Sequence, residues 1–228
     1  MIKPFAAFTE NFRRLPTRKE KLCYLMDYGK LWILAAVCLV SFLSFTVFRA
    51  ATAVRENHIY AVFVNTYAEV GNGSEFRKGL VKYSGWDPKE KNVQVEANTF
   101  FSYSKNEGRG NTYYDAFVSF IDAGALDAAI MPAEELTAFG STGRLMDLQD
   151  ERCSRILTKY ADRLIYSVPL NPEYGGKPVP VGIDISDSPI IARYSVYDCP
   201  CALGIGAFSE HIESVEKLLS YLFAEETL

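Results

Sequence analysis

Few residues in this chain of 228 could do chemistry, and their spacing matches no catalytic motif. The two histidines, His58 and His211, are far apart, and neither has a triad motif around it. No serine lies in a G-x-S-x-G turn. Cys199-Pro200-Cys201 lacks the second cysteine pair or histidine cluster of a zinc site. We therefore predict no enzyme, no catalytic residue, no metal site and no cofactor.

Two sets of side chains are candidates for binding a ligand. Aromatic rings follow the first two predicted strands, where they could stack on a sugar or a peptide, or only cover the sheet edge. Carboxylates lie near the ends of later elements, where they could bind a cation or an amine, or cap turns. In open α/β sheets, ligands bind outside the carboxyl ends of the strands. The predicted ligand-binding residues are Tyr67, Phe101, Tyr103, Glu134, Asp184 and Asp187.

Alternating strand and helix patterns would position these side chains. β-rich apolar runs predict strands at residues 59–64, 93–97, 126–131, 164–168, 178–183 and 202–207. Apolar residues at helical spacing predict helices at 75–84, 111–122, 132–140 and 151–160, and a final helix capped by Ser209. The turn at 171–176 favours an antiparallel pair of the strands on either side of it. The expected fold is a mostly parallel, three-layer α/β domain with one antiparallel strand pair.

The longest apolar run, residues 31–48, contains no charged residue and lies between Lys30 and Arg49. As a helix it would extend roughly 27 Å, close to the hydrocarbon thickness of about 30 Å. A buried core helix is the alternative, but such a helix usually keeps one polar face. We therefore predict a single transmembrane helix at residues 31–49.

Charge predicts the orientation of that helix. Residues 1–30 contain seven basic and three acidic residues, whereas the whole chain has a net charge of −4. By the positive-inside rule, the N-terminus is cytoplasmic and the C-terminal domain is extracellular. The predicted organisation is a cytoplasmic basic lead (1–30), the transmembrane helix (31–49), a stalk (50–57) and an extracellular α/β domain (58–228). The membrane is the predicted partner, and nucleic acid is not.

Two processing events remain open. Ala51-Thr52-Ala53 has the A-x-A form of a signal-peptidase site, so cleavage after Ala53 is an alternative to a retained anchor. Outside the cell, Cys153 could pair with Cys199 or Cys201, and three free thiols are the alternative.

Three stretches of the sequence resemble extracellular solute-binding proteins. They are residues 123–132 with 145–148, residues 176–184, and residues 203–209 with the helix that follows. The resemblance covers most of residues 58–225 and implies a type 2 periplasmic-binding fold. The lead before the apolar run also resembles membrane-anchored proteins of Gram-positive anaerobes. Together these similarities imply a membrane-anchored extracellular binding module for a small solute or a peptide.

The chain departs from that family at one place. Only residues 186–200 separate the second and third similar stretches, which is too short for the second lobe that would close over a ligand. The implied domain is therefore a single lobe, although affinity normally depends on burying most of a ligand. The alternative function is a structural or protein–protein interaction component of a cell-envelope complex. A concave pocket lined by Tyr67, Tyr103 and Asp184 would favour binding, and a flat apolar patch would favour the alternative.

Overall fold

The computed structural model describes residues 10–28, 30–51, 56–103, 110–170 and 175–224. The chain forms two compact units, Met1–Val54 and Arg55–Leu228. The predicted turn at 171–176 and the A-x-A sequence lie largely outside the described residues.

The first unit is helical. Residues 10–14 form a short helical segment, followed by α1 (Arg18–Tyr28) and α2 (Lys30–Ala51). Apolar side chains are exposed along α2; they are Ile33, Leu34, Val37, Leu39, Val40, Phe42, Leu43, Phe45 and Val47. Within the part of the chain that the structure describes, no helix has the length and apolarity required to cross a membrane. The transmembrane helix at 31–49 stays a prediction.

The second unit alternates strands with helices. The described strands are β1 (Asn57–Val64), β2 (Asn92–Thr99), β3 (Ala128–Pro132), β4 (Leu164–Ser167), β5 (Val179–Asp184) and β6 (Cys201–Ile205). The helices are α3 (Glu75–Ser84), α4 (Thr112–Asp122), α5 (Ala133–Gly140), α6 (Ser154–Lys159), α7 (Pro189–Arg193) and α8 (Ile212–Leu222), with 3-10 turns at Glu151–Cys153 and Ala161–Arg163.

Capping residues fix where the crossover helices begin and end. The Ser74 hydroxyl accepts a hydrogen bond from the Arg77 amide at the start of α3, as the sequence predicts. Gly85 ends that helix in the left-handed conformation, which costs glycine little. The Asn111 side chain caps α4 by accepting a hydrogen bond from the Tyr113 amide.

The six strands form one mixed sheet in the order β2-β1-β3-β6-β5-β4. β1 pairs in parallel with β2 and β3, whereas the β3–β6, β6–β5 and β5–β4 pairings are antiparallel. The predicted mixed α/β class and the antiparallel β4–β5 pair are confirmed. Antiparallel pairing extends further than predicted because residues 186–200 begin and end at the same sheet edge, so β6 must run back against β5.

Two cores cover the two faces of the sheet. Ile59, Ala61 and Phe63 of β1 face one core, which also contains residues of α3 and α8. The alternate residues of β1 face the other core, together with residues of α4 and α5. β1 is therefore buried on both faces, which explains its continuous apolar sequence.

The last helix packs as its periodicity predicts. Ile212, Val215, Leu219 and Leu222 of α8 are all buried. The helix begins at Ile212 rather than at Ser209. The Ser209 hydroxyl donates to the buried Asp127 carboxylate at 2.6 Å and accepts from the His211 amide at 3.2 Å, so its contacts lie just before the first turn of the helix.

Candidate functional site

Four strands, β1, β2, β3 and β5, end at the same edge of the sheet. β1 is followed by α3 on one face of the sheet, and β3 is followed by α5 on the other. The ends of β1 and β3 therefore form the switch-point crevice, where ligands of open α/β sheets normally bind.

In this protein, the switch-point crevice is filled by Tyr197. Its hydroxyl lies 2.7 Å from the Val64 carbonyl of β1 and 2.9 Å from the Ile130 carbonyl of β3. The neighbouring Val196 carbonyl accepts a hydrogen bond from the Thr66 hydroxyl at 2.6 Å. Burial raises the pKa of Tyr197 well above its ordinary value, so the hydroxyl keeps its proton. The crevice is thus occupied by the protein itself.

An open pocket lies beside the crevice, at the outer edge of β2. We call it the edge pocket; its volume is about 680 Å³, within the roughly 300–1,000 Å³ typical of ligand sites. It is lined by Thr66, Tyr67, Ala68, Glu69, Gly71, Asn72, Gly73, Ser74, Val95, Glu96, Ala97, Asn98 and Phe100.

Side-chain hydrogen bonds hold the walls of the edge pocket in place. Asn65 is left-handed, with φ 58°, and its amide group exchanges two hydrogen bonds with the Phe101 backbone, at 2.7 and 3.0 Å. Asn72 accepts from the Val95 amide at 3.1 Å, and Arg77 donates to the Val93 carbonyl at 2.7 Å. These bonds join the loop after β1 to β2 and its following loop, so the pocket is formed without a ligand.

Two aromatic rings give the edge pocket an apolar platform. Tyr67 is 94% exposed, and its ring lies 4.9 Å from the Phe100 ring, centroid to centroid. Glu69, Asn72 and Asn98 add polar groups around them. Exposed rings beside hydrogen-bonding groups suit a ligand that has both a flat apolar face and polar substituents.

Only one of the six predicted ligand-binding residues lines this pocket. Tyr67 does so, whereas Phe101 is 4% exposed and packs in the core, to which we now assign it. The Tyr103 amide donates to Glu135 at 2.8 Å. Glu134 is exposed, and it is the neighbouring Glu135 that contacts the loop after β2.

The other two predicted residues lie at the far side of the sheet. β5 is three strands from β1, or about 14 Å. Asp184 accepts hydrogen bonds from the amide and hydroxyl of Ser186, which is the turn-capping alternative. Asp187 forms a two-pronged ion pair with Arg163, which lowers the pKa of Asp187. The structure does not bring these carboxylates to the aromatic residues.

Sequence reasoning missed a group of hydrogen bonds around one buried carboxylate, that of Asp127. It lies at the opposite end of the strands, just before β3 begins. Asp127 is fully buried and accepts from the Tyr60 amide at 2.8 Å and the Ser209 hydroxyl at 2.6 Å. The His211 Nδ1 atom lies 3.1 Å from the same carboxylate. The Ser209 hydroxyl donates to Asp127, and no hydrogen bond joins it to the His211 ring among the described contacts. This group ties the last helix to β1 and β3, and the signal for it was a lone Asp at the start of an apolar strand.

The described residues provide no metal site, because no group of three or more His, Cys, Asp or Glu among them is placed to hold an ion. Cys153, Cys199 and Cys201 are all free thiols. Burial raises the pKa of Cys153 to about 11 and that of Cys201 to about 12, so both are poor nucleophiles.

Comparisons with protein-family models, with curated proteins and with solved structures gave no match for this chain. Its function is therefore inferred from the site itself.

Proposed function

We propose that this protein is a membrane-anchored extracellular binding module, not an enzyme, and that its ligand binds in the edge pocket. The observation that carries the proposal is the preformed pocket of about 680 Å³, in which the exposed Tyr67 ring lies against the half-buried Phe100 ring. An exposed ring such as that of Tyr67 contributes little to the stability of the fold, whereas it can bury apolar surface against a ligand.

The geometry favours a small solute or a short peptide with one flat apolar face. A sugar ring or a peptide side chain could stack on Tyr67, while Asn72 and Asn98 supply hydrogen bonds. The pocket is open to solvent, and among the described residues no second lobe covers it. We therefore expect modest affinity, because less of the ligand surface is removed from water.

The resemblance to solute-binding proteins is compatible with this proposal, although the binding site is shifted. Tyr197 fills the switch-point crevice of the single lobe. A ligand would instead bind one strand further out, in the edge pocket between β2 and the loop that follows β1. The basic lead and the exposed apolar side chains of α2 support the anchor and its orientation. A reporter fused after Leu228 should therefore be active only outside the cytoplasm.

A protein–protein interaction role in a cell-envelope complex is the second candidate. It is favoured by exposed apolar side chains on and after β4, the opposite edge strand, where Tyr166, Val168 and Leu170 are 50%, 48% and 76% exposed. Apolar groups in such a row suit a partner surface better than a small ligand.

A ligand screen with two matched variants separates the candidates. Full-length protein in detergent is screened by thermal shift against sugars, amino acids and short peptides, because specific binding raises stability. For a true ligand of the edge pocket, Tyr67→Ala should weaken binding at least tenfold, and Tyr166→Ala should leave it unchanged. Ligands that bind the Tyr67→Ala variant as tightly as wild type would refute the proposed site.

A further inference from the structure

A second pocket lies on the opposite face of β2, between this strand and α4. We call it the aromatic pocket; its volume is about 230 Å³. It is lined by Tyr60, Val62, Glu96, Asn98, Thr99, Tyr113, Ala116, Phe117 and Phe120. The volume is below the roughly 300–1,000 Å³ of drug-sized sites, so it suits a small head group.

The aromatic pocket contains a carboxylate that no basic residue neutralises within the described part of the chain. The Tyr60 hydroxyl donates to Oε2 of Glu96, which leaves Oε1 for another partner. Some carboxylates of the domain form ion pairs with basic side chains, as in Lys91–Glu56, Arg144–Asp122, Arg152–Asp150 and Arg163–Asp187. Glu96 has no such pair among the described residues, and no lysine or arginine lines its pocket.

Aromatic rings surround this carboxylate. Tyr60 and Phe117 are 2% exposed and form the floor, and Tyr113 and Phe120 are 52% and 41% exposed and form the rim. The Tyr60 and Phe120 rings meet edge to face, with centroids 5.4 Å apart. Burial and the Glu96 carboxylate raise the pKa of Tyr60, so its hydroxyl stays protonated and keeps donating.

We propose that the aromatic pocket binds an organic ammonium ion. The faces of aromatic rings attract a cation through their quadrupoles, and the free oxygen of Glu96 supplies a full negative charge. A neutral or anionic ligand would cover that half-buried carboxylate without neutralising its charge, at a cost in affinity. The quaternary ammonium of a choline compound and the primary ammonium of a lysine side chain share this chemistry.

The inference does not rest on the edge pocket. Glu96 and Asn98 line both pockets because they lie on the strand that separates them. Tyr67 lines only the edge pocket, and Tyr113 lines only the aromatic pocket. Variants of these two exposed tyrosines therefore distinguish the two proposals.

The test is calorimetric titration of full-length protein in a maltoside detergent, which carries no ammonium group to compete. The probes are choline, n-butylammonium and the neutral choline isostere 3,3-dimethylbutan-1-ol. We expect at least one cation to bind, and the neutral isostere to bind at least tenfold more weakly. A preference for choline would indicate a quaternary ammonium ligand, and a preference for butylammonium would indicate a lysine side chain.

Variants locate the binding. Glu96→Gln keeps the shape and can still accept from Tyr60, yet should weaken cation binding at least tenfold; Glu90→Gln, at an exposed carboxylate, is the matched control. Tyr113→Ala removes an exposed rim residue and should weaken binding several-fold even if Glu96→Gln misfolds. Tyr67→Ala should have no effect on cation binding. Equal affinity for choline and its neutral isostere, unchanged binding in both pocket variants, or no binding of either cation would overturn the proposal.

Discussion

The two halves of the sheet differ in how they leave room for ligands. The parallel half, β2-β1-β3, borders both pockets, because each parallel strand is followed by a crossover segment that leaves the sheet edge. In the antiparallel half, β6-β5-β4, Asp184 at the end of β5 accepts hydrogen bonds in a turn, and Asp187 after β5 forms an ion pair with Arg163. Aromatic or acidic residues at strand ends thus have different roles according to the connection that follows them.

Tyr197 lies at the boundary between the two halves. It belongs to the connection between β5 and β6, within the antiparallel half, yet its hydroxyl contacts the carbonyls of β1 and β3. The connection therefore covers the position where a parallel sheet of this kind would bind its ligand. Residues 186–200 thus fill the switch-point crevice, whereas the edge pocket beside the outer strand β2 is open.

The largest effect is expected where both halves share a core. Leu219 of α8 is fully buried in a cluster that also contains Phe63 of β1 and Ile183 of β5. Leu219→Asp should destabilise the domain by roughly 3–5 kcal/mol, because the buried charge has no partner. Chemical denaturation measures this change. Ser220→Asp, on the outer side of the helix beside Lys159, is the control and should melt near wild type. Wild-type stability of Leu219→Asp would mean that α8 does not join the two halves.

A smaller effect, confined to the parallel half, is expected at Asn65. Asn65→Ala loses two hydrogen bonds to Phe101 and must hold a left-handed backbone, at a total cost of about 2–3 kcal/mol. Asn65→Gly relieves the backbone strain and should recover about 1 kcal/mol of that loss. Urea unfolding gives the stabilities. Identical stabilities for the two variants would show that the left-handed backbone adds no cost.

The variant Tyr197→Phe tests the contacts at the boundary between the two halves of the sheet. Removing the hydroxyl leaves the Val64 and Ile130 carbonyls without this donor, so we expect a loss of about 1–2 kcal/mol. Tyr166→Phe, on an exposed side chain of β4, is the control and should be neutral. Hydrogen exchange should rise at the ends of β1 and β3 only in Tyr197→Phe. Unchanged exchange there would argue that the crevice is closed by other groups.

The smallest expected effect is a pH dependence of the stability of the domain, caused by a histidine in the parallel half. His58 of β1 stacks on Trp86, with ring centroids 5.2 Å apart, and its pKa is lowered, first by burial and then by Lys91 and Lys217. Because the folded protein favours the neutral His58 ring, His58 contributes its full stabilisation of the folded state above the unfolded-state pKa of about 6.5. It is lost as the pH falls through 6.5 towards the lower folded-state pKa.

Thermal melts at pH 7.5 and 5.5 check this dependence. His58→Phe keeps the stacking but cannot titrate, so its melting temperature should fall less on acidification than that of wild type. An equal fall in both proteins would assign the pH dependence to groups other than His58.

The sequence predicted all six strands because each is a local apolar run between turn residues. It missed α7, although Ser188 and Pro189 carry the usual cap and first-turn signals, because residues 186–200 were treated as a linker. The sites were harder to predict. Tyr60 and Glu96 are 36 residues apart, Tyr197 and Val64 are 133 apart, and His211 and Asp127 are 84 apart. Such contacts depend on strand order, which local periodicity does not encode. The burial of Phe101 was not predicted, because a loop position alone does not show which way a ring points.

The outer side of β2 has one further consequence, for how copies of this protein meet each other. An uncovered edge strand is a template for pairing with another chain, which is a common start of aggregation. Here the Arg77 guanidinium and the Asn72 amide make the hydrogen bonds to Val93 and Val95 that a foreign strand would make. These two side chains therefore imitate a neighbouring strand, and a second copy would have to displace them before it could extend the sheet.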